Sequence, residues 1–275
     1  MPAPDSISAD KLAKLVGTPK CPVILDLRTS DDFALAPQLV PTARHISLDA
    51  FEAAPQSMGS GTVVTLCAQG HAISQGAAAL LRTQGLAAEY LEGGFKAWSE
   101  AKLPTFDPAK LPPSNTRTNT IRVTRSRPKI DRIACPWLIR RFIDQDAQFL
   151  YVAPSEVERV GELFGATPFD IENVFWSHRG ELCTFDVMLA EFALNLPALD
   201  RLARIVRGAD THRLDLGPEA AGLLAAALGL SRLYSDDLAQ LEAGMTLFDA
   251  FFRWARDATG ETHNWPTNKV ETSNG

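Results

Sequence analysis

The stretch Thr62-Val63-Val64-Thr65-Leu66-Cys67-Ala68-Gln69-Gly70-His71 decides the fold of the first part of this chain. Thr62 to Leu66 form a β-branched, apolar run of the kind that packs on both faces of a sheet. The run ends at Cys67, a glycine-containing turn follows, and an alanine-rich segment to Gln84 reads as a helix. Cys67 is therefore placed at a strand-to-helix turn. In open α/β sheets, ligands bind outside the carboxyl ends of the strands. Backbone N–H groups of such a loop, with the positive end of the following helix, lower a thiol pKa and can cradle an anionic sulfur substituent. The other role open to a lone cysteine is that of a small buried hydrophobe.

Working outward, Ser8 caps a helix over Ala9 to Val16, Val23 to Leu27 reads as a buried strand, and Ser30-Asp31 can start a second short helix. On the other side, Gly85 can end the helix after Cys67. Tyr90-Leu91 offers a last strand, and Gly93-Gly94 leads into a helix carrying Phe95 and Trp98. Strands alternating with helices from Ser8 to Lys102 predict an α/β domain around a mainly parallel sheet. Pro104, Pro108, Pro112 and Pro113, interleaved with Ser, Asn and Thr, cannot sustain a helix or a central strand. The domains are accordingly read as 1–103, a proline-rich linker 104–120, and 121–275. The second is expected to be a helix-rich α+β domain: an extended Ile121 to Thr124, a helix from Pro136 to Ile143 capped by Cys135, a strand at Gln148 to Val152, and amphipathic helices between Ser155 and Thr259. The tail from His263 to Gly275 is polar.

Two domains, each with its own core, suit a chain of 275 residues. A content of 45% hydrophobic and 22% charged residues is that of an ordinary folded protein. A net charge of -6 argues against wholesale coating of nucleic acid. Cys21, Cys67, Cys135 and Cys183 stand singly, without a CxxC pair, and are expected to be free thiols. Met1 to Asp10 lack a basic run followed by an apolar core, and no apolar stretch is long enough to span a bilayer. The expected location is cytoplasmic, with no membrane partner.

Asp26-Leu27-Arg28, Cys67 with Gly70 and His71, and Leu91-Glu92-Gly93-Gly94-Phe95 with Trp98 occur in the order found in the rhodanese homology domain, which the first hundred residues resemble. The resemblance implies that Cys67 accepts a sulfane sulfur from thiosulfate or a persulfide donor and passes it to a thiol or other acceptor. A cysteine persulfide is then the intermediate and no cofactor is required. Ala68, Gln69, Gly70, His71 and Ala72 would surround the substrate. Asp26 and Arg28, near the end of the earlier strand, either line the same mouth or make structural pairings in their own neighbourhood. The loop carries no arginine, which predicts weak thiosulfate turnover, and Pro41-Thr42-Ala43-Arg44-His45-Ile46 departs from the family's His-Ile-Pro-Gly-Ala pattern. A cysteine phosphatase would need an arginine closing the loop. Ile73 stands six residues after Cys67, and the next arginine is Arg82.

Between Arg117 and Arg141, eight basic residues accompany the single acid Asp131. The string Arg127 to Asp144, followed by Phe149 to Val152, and later Cys183-Thr-Phe-Asp186 with Ile205-Val-Arg-Gly-Ala-Asp210, resembles the chromate-resistance protein domain. That resemblance implies an association with chromate resistance, and some members act as chromate-responsive regulators. Chromate and sulfate are tetrahedral dianions, and an arginine cluster near a helix N-terminus suits either. Arg132, Arg140 and Arg141 are the candidates, with Cys135 as a buried cap or a redox-sensitive thiol beside them. His178, Glu181, Cys183, Asp186, Asp210 and His212 include candidate ligands for a divalent metal, with His178, Asp186 and Asp210 the first choices, although their spacing matches no compact metal motif. Trp137, Trp176 and Trp254 are expected in the core or at an interface. Two readings of function follow. One is a sulfurtransferase acting through Cys67. The other is an oxyanion-responsive regulator in which the first domain is scaffold, and only that reading calls for DNA as a partner.

Overall fold

The computed structural model describes residues 5–51, 61–111 and 120–262. Pro112, Pro113 and the tail from His263 fall outside them. The first sheet contains β1 (Ser6–Ile7), β2 (Val23–Asp26), β3 (Arg44–His45), β4 (Val63–Leu66) and β5 (Ala88–Leu91) in the order β1-β5-β4-β2-β3, and every pairing is parallel. Parallel neighbours need crossovers. Here these are α1 (Ala9–Leu15), α2 (Ser30–Leu35), the single turn α3 (Leu48–Phe51) and α4 (Ala72–Thr83), and α5 (Gly94–Glu100) follows β5. β4 is central and wholly buried. Its side chains alternate between faces: Val64 and Leu66 join Leu12, Val16, Phe95 and Trp98, whereas Val63 joins Leu25 and the α4 residues Ala77, Ala78 and Leu81.

The second sheet is β7-β6-β8, from β6 (Ile121–Arg125), β7 (Gln148–Val152) and β8 (Thr167–Pro168), again all parallel. The crossover from β6 to β7 is α6 (Asp131–Phe142), and α7 (Val157–Phe164) leads to β8. Four helices follow: α8 (Thr184–Phe192), α9 (Pro197–Asp210), α10 (Ala220–Leu233) and α11 (Asp237–Asp257). The helix-rich character expected of this half is observed. Trp137 lies at its centre, in ring contact with Phe142, Phe185, Phe248 and Phe252. Trp176 is also fully buried, and Trp254 packs at the core's edge.

One expectation is corrected by α6, which begins at Asp131 rather than at Pro136, so Pro136 sits inside the helix and Cys135 is a buried helical residue instead of a cap. An internal proline has no N–H for the carbonyl four residues back. That carbonyl belongs to Arg132, and the Tyr151 hydroxyl on β7 donates to it at 2.8 Å. A tertiary hydrogen bond therefore replaces the missing helical one.

The expectation of two separate cores is also revised. One apolar cluster runs from Leu12, Val16 and Trp98 through Phe142, Leu199 and Phe252. The Thr42 amide donates to the Phe142 carbonyl at 3.0 Å, Arg44 pairs with Asp146, and Gln145 Nε2 donates to the Cys21 and Pro22 carbonyls. At Gly17, where φ is +76°, an added Cβ would lie 2.5 Å from the Phe142 ring. The two sheets are thus joined through packed side chains. The proline-rich segment starts bound rather than free: Phe106 is buried and bridges Leu39.

Candidate functional sites

Cys67 follows the last residue of β4 and precedes α4, as the local sequence requires. It is only 6% exposed, beneath a rim that includes exposed Gln69 and His71. Its Sγ lies 3.2 Å from Ser74 Oγ in the first turn of α4. Burial works to raise the thiol pKa, but hydrogen bonds from the Ser74 hydroxyl and from the Ser74, His71 and Gln69 amides outweigh it. The net effect holds Cys67 below the ordinary cysteine range. No Lys, Arg, Asp or Glu stands between Cys67 and Ala72, so the anion is favoured by N–H and O–H dipoles.

The glycines of the later motif shape this loop. Gly70 has φ +71°, and a Cβ there would meet the Leu91 carbonyl and the Gly93 and Gly94 amides at 2.6–2.8 Å. Gly94 has φ +58°, and a Cβ on it would run into the Cys67 carbonyl. The Phe95 and Lys96 amides at the start of α5 donate to the carbonyls of Cys67 and Ala68 at 2.9 and 3.0 Å. Gly93-Gly94-Phe95 therefore grips the outer side of the loop, leaving its own amides free to face the sulfur.

Of the two roles open to Asp26 and Arg28, the structure shows the structural pairing and corrects the placement of both at the mouth. Both are buried, and Arg28 reaches Asp26 through Nε and Nη2 at 2.6–3.0 Å. The remaining Arg28 donors serve the Ala36 and Gln38 carbonyls, and the guanidinium lies 3.8 Å from the centre of the Phe95 ring. Each side-chain nitrogen of Arg28 is thus engaged, and the guanidinium ties α2, the segment after it and α5 to the sheet. Among the sequence candidates, Cys67 and the loop Ala68 to Ala72 remain at the site.

In the second half, Arg132, Arg140 and Arg141 do not form one oxyanion cradle. Because α6 starts five residues earlier than expected, Arg132 lies in its first turn and the other two in its last. Arg132 serves the Arg125 and Ser126 carbonyls and approaches Asp170; Arg140 pairs with Glu242, and Arg141 makes a two-pronged pair with Asp249. Arg140 and Arg141 also sit at the negative end of the helix dipole.

The metal candidates are rearranged. His178 and Asp210 come together, with Nε2 3.2 Å from Asp210 Oδ2, but their companions are Asp131 and Asp170, each 3.5 Å from the same nitrogen. Asp186 belongs elsewhere: it accepts from the Cys183 amide in a capping box at α8 and pairs with Arg207. Asp131 opens α6 and Asp170 follows β8, so this cluster too lies at the carboxyl ends of parallel strands. Burial raises the Asp131 carboxyl, with Asp210 and Asp170 adding repulsion. Hydrogen bonds to Asp131, Asp170 and Asp210 raise His178 well above the usual histidine range. Burial and the nearby carboxylates push the Cys135 thiol up, as burial does for Cys183. These thiols are therefore neutral and inert, in contrast to Cys67. Glu181 and His212 lie outside the cluster among the described residues. Asp131 and Asp170 were missed because nothing in a basic stretch or a loop marks an isolated aspartate as a ligand.

A parallel sheet with an anion-stabilising cysteine loop at the end of its central strand defines the first half as an α/β thiol-site domain. Residues 8–101 match the family model of the rhodanese-like domain, and residues 122–255 match that of the ChrB C-terminal domain. The chain carries these two domains in that order. Protein ChrB of Cupriavidus metallidurans is 37% identical over 130 residues, which are 45% of this chain and 37% of that protein. The chain thus matches little more than a third of that relative's length. Among solved structures, a rhodanese-like domain protein from Staphylococcus aureus is 28% identical with a TM-score of 0.31, covering 34% of this chain and 90% of that one. A thiosulfate sulfurtransferase from Pseudomonas aeruginosa is 27% identical with a TM-score of 0.32, covering 38% of this chain and 20% of that one. Among the described residues, no helix is long and apolar enough to cross a membrane.

Proposed function

We propose that the protein is a sulfur carrier in which Cys67 accepts a sulfane sulfur and hands it to a thiol, in a setting connected with chromate resistance. The observation that carries this reading is the position of Cys67 Sγ, 3.2 Å from the Ser74 hydroxyl and facing loop amides that lower its pKa. In the first step the Cys67 thiolate attacks the outer sulfur of the donor. With thiosulfate, the Sγ–S bond forms, the donor S–S bond breaks, and sulfite leaves with the bonding electron pair. The terminal sulfur keeps one negative charge, and loop amides such as those of Gln69 and His71, which already act on Cys67 Sγ, supply its stabilisation. In the second step an acceptor thiolate attacks that sulfur and becomes the persulfide, and Cys67 leaves as thiolate. A neutral loop favours a singly charged organic persulfide over dianionic thiosulfate. The four free thiols suit a reducing, cytoplasmic setting.

The test is intact mass of the full chain and of Cys67→Ser after exposure to thiosulfate and to a small organic persulfide. One added sulfur on the wild type alone, discharged by a thiol, is the expected result. Absence of the adduct with both donors overturns the proposal.

A further inference from the structure

The cluster in the second domain has a composition that hydrogen bonding alone does not satisfy. Three carboxylate oxygens approach one ring nitrogen, His178 Nε2, at 3.2–3.5 Å. A single N–H can point at only one of them, and charge-assisted N–H···O contacts are usually shorter, about 2.7–2.9 Å. By contrast, donors bound to one divalent ion at about 2.0–2.2 Å lie about 3.0 Å apart in octahedral geometry and about 3.4 Å apart in tetrahedral geometry. The observed spacing is that of a ligand shell. Suitable donor atoms of Asp131, Asp170 and His178 all lie within 4.8 Å of one another.

A second, independent observation points to a ligand. The Asp131 side chain is 1% exposed, with Oδ2 directed into the cluster, yet its Oδ1 has no hydrogen-bond partner. A buried carboxylate oxygen without a partner costs about 1–3 kcal/mol or more, which a cation held by both oxygens of the carboxylate removes. The groups around the cluster fix its members as outer partners fix metal ligands. The Thr184 amide donates to Asp131 Oδ2 at 2.6 Å, and the Thr184 hydroxyl donates to Asp170 Oδ1 at 2.8 Å. His178 is 41% exposed, which gives an ion a way in.

We infer that Asp131, Asp170 and His178, with Asp210 beside them, bind one divalent transition-metal cation. One imidazole among carboxylates is a borderline, oxygen-rich set, which suits Mn2+ or Zn2+ better than Cu+ or an iron–sulfur cluster. The site is separate from Cys67, so sulfur loading and metal binding succeed or fail independently.

The test uses the full chain stripped with chelator, equilibrium dialysis against Mn2+ and against Zn2+, and the electron spin resonance spectrum of bound Mn2+. One ion per chain is expected. Asp131→Asn and His178→Ala each weaken binding by about tenfold or more, whereas Glu181→Gln, at an exposed residue outside the cluster, binds as the wild type does. Circular dichroism establishes that each variant folds; if Asp131→Asn does not, the more exposed His178→Ala decides. Failure of the wild type to bind stoichiometrically, or equal binding by His178→Ala, overturns the inference.

Discussion

Replacing Ser74 by alanine removes the hydroxyl 3.2 Å from Cys67 Sγ and leaves the rest of the loop in place. Ser74 is helical and buried, and alanine is at least as good a helix former, so the fold should tolerate the change. A hydrogen bond to a charged group contributes about 1.5–3 kcal/mol. The Ser74, His71 and Gln69 amides remain and take over part of this, so the lower end, about 1.5 kcal/mol, is the appropriate figure. At about 1.4 kcal/mol per factor of ten, the thiolate-to-thiol ratio falls about tenfold. The sign follows from the direction of the shift. Cys67 is held below the ordinary thiol range, so its thiolate survives to lower pH than that of a free cysteine and is lost as pH falls through the folded-state value. Without Ser74 Oγ that midpoint moves up, and the loss of thiolate begins at higher pH. The assay is the rate of iodoacetamide alkylation of Cys67 as a function of pH, read from the Cys67 peptide by mass spectrometry. Ser74→Ala should react about tenfold more slowly on the acid side and approach the wild-type rate at alkaline pH. Superimposable profiles would refute the claim that this hydroxyl stabilises the thiolate.

Two other consequences concern stability. Arg28→Ala leaves the fully buried Asp26 carboxyl without its partner, which should cost about 3–5 kcal/mol; denaturant unfolding should show this loss, whereas unchanged stability with slower sulfur loading would make Arg28 a donor-binding residue instead. Tyr151→Phe strips the Arg132 carbonyl of its donor and should cost about 1–3 kcal/mol. In a Pro136→Ala background the restored helical N–H can serve that carbonyl, so the same change should cost little, and equal costs in both backgrounds would show that the two groups are not coupled.

Much of the first domain was legible in the order of its residues, because its signals are local. A β-branched run ending at Cys67, a glycine where φ must be positive, and an alanine-rich helix specify a strand, a turn and a helix within about twenty residues of chain. The thiol's place at the end of β4 follows from that order alone. Its chemistry does not, because the Ser74 hydroxyl and the surrounding amides act on Cys67 only once α4 has folded back onto the loop. Asp26 and Arg28 show the reverse case. Their place near the end of a strand left both the mouth and a structural pairing open, and the tertiary contacts with the Ala36 and Gln38 carbonyls and with Phe95 decide for the second.

In the second domain the helical and strand periodicities identified most elements, and Pro136 displaced the expected start of α6 because a proline normally marks a first turn. Only the tertiary structure supplies the Tyr151 hydroxyl that makes an internal proline tolerable. The same distinction governs the acidic cluster. Sequence by itself determined that His178 and Asp210 were available as ligands. Asp131 and Asp170 join them because parallel strands end side by side, bringing residues far apart in the chain to within a few ångströms. Long-range convergence of this kind leaves no local pattern, since each aspartate taken singly satisfies the ordinary preferences of a helix start or a loop.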